Sequence, residues 1–498
     1  MMMAIGGLDI GTTGCKLTVY DNQGTYIYKA YRDYPSSRGG KEQEIDAKSI
    51  WNSVREVIRE AAEQNPDIQG IGVTSFGETF VLLDEKDNPL APSMLYTDPR
   101  GDEECRELVE KLGEKHIAQI TGLKPHCMYS IAKLMWMQRH RPDIYNRASR
   151  ILLMEDYVIY MLTGITQIDY SIASRTMAFD IRKLCWSREI LKAAGIDEKL
   201  LSKTVPTGTA AGCIKAAVAA KLGLKEKTLI VSVSHDQVAA AIGASVFGDA
   251  VAVDGAGTVE CITPVFTGIP ENDVLYQGSY AIVPYVIPGK YLCYAFSFTG
   301  GALVKWYIDN LAKYEKYLAE QENKSVYEVL ESNMKDEPTG ILVLPHFAGA
   351  ATPYMDTGSR GAITGLTAAN HVSDLYRAML EGVVYEMRLN MEELWKAGIE
   401  IKKLKAVGGG ANSRIWLQMK ADILGVPVVS LGSSEAGAAG SAMLTGIACN
   451  IFENLESAAD KMVKELETYY PRQEQREAYE PYYMKYRQLY PSVRHLMG

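Results

Sequence analysis

Two short stretches, one in each half of the chain, set an aspartate, glycines and threonine hydroxyls at the end of an apolar run. The first is Asp9-Ile10-Gly11-Thr12-Thr13-Gly14-Cys15-Lys16; the second is Asp254-Gly255-Ala256-Gly257-Thr258, after Ala250-Val251-Ala252-Val253. A turn of this kind leaves backbone N–H groups pointing one way with no Cβ in front of them, and the hydroxyls add donors for phosphate oxygens. One such loop is weak evidence, because Asp-Gly is also a common hairpin turn. Two in matching contexts predict a duplicated phosphate-binding unit that faces one nucleotide from both sides.

Three further stretches carry residues suited to chemistry. Ser234-His235-Asp236-Gln237 follows the apolar strand Thr228-Leu229-Ile230-Val231 and opens an Ala-rich helix. There Asp236 can accept a proton from a substrate hydroxyl, or simply N-cap the helix. Gly408-Gly409-Gly410-Ala411-Asn412-Ser413 precedes a helix from Arg414 to Leu424. Its glycines let a flat ring lie against backbone, while Asn412 and Ser413 can cap the helix or bond a base or ribose; a flexible strand-to-helix loop is the bland alternative. Between Thr74 and Arg100, Ser75-Phe76-Gly77-Glu78-Thr79 and Tyr96-Thr97-Asp98-Pro99-Arg100 each follow a strand. Their carboxylates can hold a polyol through paired hydrogen bonds, or Glu78, Asp98 and Arg100 are surface charges and a local ion pair.

The elements that position these loops repeat. Strands are expected at Ile5–Asp9, Lys16–Asp21 and Thr25–Tyr31, then a helix at Ala47–Glu63 and a buried strand at Gly70–Ser75. The second half offers Ala250–Asp254, Val259–Pro264, β-rich sequence to Phe296, a helix at Leu303–Ala319 and a buried strand at Leu404–Gly408. The order β-β-β-α-β, with a phosphate turn between its first two strands, predicts two α/β domains, residues 1–247 and 248–498, with a catalytic cleft between them. The Tyr-rich tail from Glu453 reads as surface helices on the second domain.

Composition narrows the class. A chain of 498 residues exceeds what one core serves. A net charge of −9 with no basic stripe excludes a nucleic-acid partner but not ATP. The eight cysteines form no C-x-x-C pair, so zinc, iron–sulfur and disulfide frameworks are not expected. The N-terminus carries no signal-peptide pattern, and the longest apolar run, Val238 to Val253, is broken by Gly243, Gly248 and Asp249. A cytoplasmic protein without a membrane partner is expected.

With these residues in view, the chain resembles the FGGY carbohydrate kinases, ATP-dependent enzymes of the actin-like, ribonuclease-H-like superfamily. The resemblance spans almost the whole length. It rests on the three Gly-rich loops in the family's order, on Met128-Tyr129-Ser130-Ile131-Ala132-Lys133-Leu134-Met135-Trp136-Met137-Gln138-Arg139-His140, and on Gly361-Ala362-Ile363-Thr364-Gly365-Leu366 followed by Asp374-Leu375-Tyr376-Arg377-Ala378-Met379-Leu380-Glu381. It implies two actin-like domains around the cleft, with Asp236 as catalytic base and Asp9 holding Mg²⁺, through water. It also implies that Gly11, Thr12 and Thr13 face the γ-phosphate, with Lys16 adding charge, and that Gly255, Gly257 and Thr258 bind the other phosphates. Gly409, Gly410, Ala411 and Asn412 would lie along adenosine, with Gly300 and Gly301 in a further loop near the nucleotide. Family members are often dimers or tetramers, so a homodimer is compatible.

The implied partner is a small sugar or polyol. Xylulose-type relatives usually carry Gln-Met-His-Gly-like sequence after the strand at Thr74, and glycerol-type relatives carry Arg-Glu; this chain has Gly77-Glu78 and so keeps the Glu without either companion. Glu78, Thr79, Asp98 and Arg100 are the expected sugar contacts. A pocket of acceptors fits a ketopentose such as xylulose better than an acid such as gluconate. Glycerol, erythritol, gluconate and fuculose stay open, as does an actin-like ATP switch with no sugar substrate.

Overall fold

The computed structural model describes residues 3–37, 42–65, 67–332, 334–432 and 435–497. It forms two compact units. The first holds residues up to Phe247 together with Ala281–Leu292 and Glu435–Val463; the second holds Gly248–Tyr280, Cys293–Ser434 and Lys464–Gly498.

The first unit is built on a six-stranded sheet of β1 (Ala4–Ile10), β2 (Gly14–Asp21), β3 (Tyr26–Asp33), β4 (Ile68–Ser75), β5 (Thr209–Cys213) and β6 (Leu229–His235). Read from one edge the order is β3-β2-β1-β4-β6-β5. The first three strands pair antiparallel, β1-β4-β6 run parallel, and β5 returns antiparallel. The Ala47–Gln64 helix packs on β2 and β3 through Ile50, Val54, Val57, Ile58 and Ala61, an i, i+3/i+4 stripe. Asp46 caps it, accepting from the N–H groups of Lys48 and Ser49.

The Ala436–Ala448 helix lies on β1 and β4 although it comes from far along the chain. Small residues bring the backbones together: a Cβ on Gly7 would stand 2.0 Å from the Ala438 carbonyl oxygen, and one on Gly440 would stand 2.0 Å from that of Ala239. Ser441 Oγ donates to the Gly72 carbonyl at 2.8 Å. This packing draws residues 435–463 into the first unit, so one cut at 247/248 does not divide the molecule into two contiguous spans.

The second unit repeats the sheet with β7 (Ala250–Ala256), β8 (Glu260–Thr267), β9 (Ala295–Ser297), β10 (Ile401–Val407), β11 (Val428–Leu431) and β12 (Glu465–Tyr469), in the order β9-β8-β7-β10-β11-β12. Its pairings match those of the first sheet: antiparallel, antiparallel, parallel, parallel, antiparallel. The expected helix Leu303–Ala319 is two helices, Gly301–Asn310 and Lys313–Glu322, interrupted at Leu311-Ala312. The helix that directly precedes β10 is instead Val372–Lys396. The tail is not all helix either. Glu465–Tyr469 closes the sheet as an edge strand, and only its last residue is buried. Among the described residues no helix is long and apolar enough to cross a membrane.

Candidate active site

In the first unit, β6 ends at His235 and the helix Asp236–Gly243 begins at once. His235 occupies the N-cap position and makes no side-chain cap, so Asp236 is the first helical residue rather than the cap. Its Oδ1 accepts from the Gln237 N–H at 2.7 Å, and the side chain is 35% exposed, which leaves one edge open. Burial and then the nearby Asp9 carboxylate push the Asp236 carboxyl up to about 7, Glu78 adding to the rise while the Gln237 N–H and the Arg175 guanidinium oppose it. His235 Nδ1 lies 3.3 Å from Asp236 Oδ1, but burial and then Arg175 hold His235 well below its ordinary value, so at neutral pH it is not a counterion. His235 is positioned in turn by the Ser171 hydroxyl, which accepts its N–H at 2.8 Å and donates to Asp169 at 3.0 Å.

Asp9 leaves β1 beside this carboxylate. The β1–β2 turn closes through Gly11 N–H on the Gly14 carbonyl at 2.9 Å, and Tyr34 fixes it from outside, donating its hydroxyl to the Gly11 carbonyl and its N–H to the Thr13 carbonyl. Thr12 and Thr13 sit at the turn's tip, partly and fully exposed. Lys16 is not free to reach for phosphate: its Nζ stands 3.2 Å from Asp9 and 2.8 Å from Glu435. Burial alone would lower its pKa, but Asp9 and Glu435 outweigh burial and raise it. Among the described residues no group of three or more His, Cys, Asp or Glu could cage a metal. A lone accessible carboxylate such as Asp9 does suit a divalent ion held mainly by water and phosphate oxygens.

The expected sugar contacts divide into two groups. Glu78 is buried at φ +62°, and its Oε1 accepts from Arg175 Nε at 2.7 Å and also from Nη2; the Ser130 hydroxyl holds its carbonyl at 2.6 Å. Thr79 is buried beside it, with no hydrogen-bond partner for its hydroxyl among the described residues. Asp98 is engaged on both oxygens: Oδ1 accepts from Arg100 N at 2.9 Å and Nε at 2.8 Å, and Oδ2 from Arg100 Nη2 and Gln43 N, both at 2.7 Å. Burial would raise the Asp98 carboxyl, but these donors together hold it below the usual range. Arg100 also pairs with Glu44 at 2.7 Å and stacks over Trp136, while Lys133 donates to the Asp98 and Arg100 carbonyls. Asp98 and Arg100 thus form a closed ion pair, and the groups whose charge acts on Asp236 are Asp9, Glu78 and Arg175.

In the second unit, backbone hydrogen bonds tie the Gly-rich loops together. Gly300 and Ala302 donate to the Thr258 carbonyl at 3.0 Å, and Gly301 donates to that of Gly257 at 2.8 Å. Gly257 and Thr258 are exposed at this junction. Gly408, at φ +88°, turns the chain into the 3₁₀ turn Gly409–Asn412, where a Cβ on it would stand 2.7 Å from the Ala256 carbonyl oxygen. Gly409 faces open space, whereas a Cβ on Gly410 would strike the Trp416 ring at 2.6 Å. Ser413 caps the helix Arg414–Leu424. From that helix Lys420, 1% exposed, donates to Asp254 at 2.6 Å and to Glu260. Burial holds Glu260 well above the carboxylate range, as one lysine cannot neutralise two buried acids. Sequence reasoning missed Lys420, Glu260 and Arg175; a lone lysine among Trp416, Leu417, Met419 and Ala421 was the readable signal for the first.

The family models of the FGGY family of carbohydrate kinases match twice, the N-terminal domain over residues 4–243 and the C-terminal domain over residues 269–449. A xylulose kinase of Staphylococcus epidermidis is 26% identical over 502 residues, covering 98% of this chain and 97% of its own. A glycerol kinase of Lactococcus lactis is 30% identical over 477 residues, 91% of each chain. A solved structure from Brucella ovis, described as a xyloylose kinase, superposes with a TM-score of 0.88 at 27% identity, covering 99% of this chain and 100% of that one.

Proposed function

Since this chain belongs to the FGGY family of carbohydrate kinases, which use ATP with a divalent metal, we propose that it phosphorylates a ketopentose such as xylulose, with Asp236 as the general base and Mg²⁺ as the metal. The observation that carries the assignment of the base is a partly open carboxylate raised to about 7 at the end of β6, among Asp9, Glu78 and Arg175.

Transfer of a γ-phosphoryl group to an alcohol passes through a loose transition state, so placement and charge neutralisation contribute most. Asp236 accepts the proton of the attacking hydroxyl, and a pKa near the working pH keeps it both ionised and basic enough to do so. Glu78 Oε2, which makes no hydrogen bond among the described residues, is available to accept from a sugar hydroxyl, as is the Thr79 side chain. Asp9 and the Gly11–Thr13 turn approach the γ-phosphate. A divalent ion at Asp9 would neutralise charge on phosphate oxygens. Gly255, Gly257 and Thr258 with Gly300 and Gly301 bind the remaining phosphates, and open space at Gly409 receives adenosine, with Ala411 and Asn412 alongside. Asp98 and Arg100 shape the sugar loop rather than bind sugar directly, because their polar atoms are already engaged.

The name borne by relatives that span the chain supports xylulose. The retained Glu78 and the 30% identity to a glycerol kinase favour glycerol as a second reading. The test is ADP release from MgATP across pentuloses, hexuloses, glycerol, erythritol and sugar acids, with and without Mg²⁺. Xylulose as the strongest responder, with turnover lost on chelation, supports the proposal; glycerol as strongest responder replaces it.

A further inference from the structure

Resting on the kinase reading above, we infer that Arg175 is a specificity-determining residue of the sugar site, seated in the space that Gly77 leaves empty and aimed by Glu78. Three observations lead there. A Cβ on Gly77 would stand 2.8 Å from Arg175 Cγ and 3.2 Å from His235 Cδ2, so the side-chain volume at position 77 is already filled by the arginine and the histidine that precedes Asp236. The next residue, Glu78, takes φ +62°, a conformation strained for a non-glycine residue. That strained residue is the one that holds Arg175, through Nε at 2.7 Å and through Nη2. Tyr129 lies under the guanidinium, 5.2 Å from its centre.

A purely structural ion pair is a poor explanation. Both partners are only 6% exposed, and desolvating two charges usually offsets their attraction. What the pair supplies is a fork of fixed donors beside a fixed acceptor, the arrangement that reads a vicinal diol or a hydroxyl next to a carbonyl. Arg175 reaches this place from the end of the Tyr170–Ser174 helix rather than from the loop after β4.

Charge sets the class of sugar. Glu78 pairs with Arg175 and Asp9 with Lys16, while Asp236 adds a further carboxyl, so each cation of the cluster already faces an acid. A neutral ketose or polyol is accepted and a sugar carboxylate is repelled, although a guanidinium is present.

The test is steady-state kinetics with the sugar that responds best, on wild type, Arg175→Lys, Arg175→Ala, Gly77→Ala and the Gly77→Ala/Arg175→Ala double variant. Arg175→Ala and Gly77→Ala should each raise the sugar KM at least tenfold and leave the ATP KM within twofold. The double variant should fall well short of the product of the two single effects, because the Cγ that a Cβ at 77 would displace is then gone, although the Cβ of residue 175 at 3.0 Å and His235 Cδ2 at 3.2 Å remain. Arg175→Lys, which keeps charge and loses the fork, should recover less than a third of the loss. Glu78→Gln should narrow the preference for the neutral sugar over gluconate at least tenfold. If Arg175→Lys and Gly77→Ala both leave the sugar KM unchanged, or if the double variant shows the product of the two single effects, the inference is overturned while the kinase reading stands. A wild type that turns over no sugar of the panel overturns both.

Discussion

The two sheets of this molecule carry an aspartate near the end of corresponding strands, β1 and β7, and treat it in opposite ways. Asp9 is 17% exposed and shares Lys16 with Glu435. Asp254 is 1% exposed and bound by Lys420, itself sealed in with Glu260. The pairing order of the sheets and the Gly/Thr turns are the same in both units; the surroundings of the carboxylate are not. The two units share the backbone device, a turn between two antiparallel strands, and differ in what surrounds the carboxylate. On the function proposed above, Asp9 stays addressable by an ion. Asp254 instead ties the β7–β8 turn to the helix Arg414–Leu424 through Lys420.

The largest contrast is expected from the lysines. Lys420→Met leaves two buried acids without a cation and should cost about 3–5 kcal/mol of unfolding free energy. Lys16→Met, with partners 17% and 24% exposed, should cost below about 1 kcal/mol. Denaturant unfolding compares the two, and equal losses would erase the distinction. Next come the aspartates themselves: Asp9→Asn should lower turnover about 10–100-fold, as loss of an outer ligand to a metal does, without loss of stability. A stable Asp254→Asn variant with the same turnover defect would break the comparison.

Within the second unit the adjacent glycines separate binding from packing. Gly410→Val forces a side chain against Trp416 and should cost about 1–3 kcal/mol of stability. Gly409→Val has open space before it and should leave stability unchanged while raising the ATP KM. A further contrast concerns pH. Because the folded state raises Asp236 from 3.8 to about 7, it binds the proton more tightly than the unfolded chain, so this group lowers stability as pH rises through that window. Asp236→Asn should therefore melt above wild type at pH 8 and with it at pH 3, as measured by thermal unfolding.

Much of this was legible in the residues. Apolar runs that stop at Asp and glycine located the β1–β2 and β7–β8 turns, and apolar runs and the helical period placed β1–β4 and the Ala47–Gln64 helix. What escaped was set by partners distant in sequence. Glu465–Tyr469 shows three exposed residues in a row, so no alternation marks it as the edge strand that β11 makes of it. Gly243 reads as a break in the apolar run from Val238, and only the facing backbone at Ala436 explains it. Arg175 looks like an ordinary helix-end charge until Gly77 and Glu78 surround it. For Asp98 and Arg100 the local ion pair offered as the alternative to sugar contact is what forms, while its burial was not legible.

The most direct measurement is single-turnover phosphoryl transfer by Asp236→Asn, with labelled ATP and the responding sugar both saturating, alongside ATP affinity. The amide keeps the shape and loses the proton acceptor. A rate lower by about 10²–10⁴-fold with ATP affinity unchanged is predicted. A rate within a few-fold of wild type would contradict Asp236 as the base, and with it the division of roles between the two units.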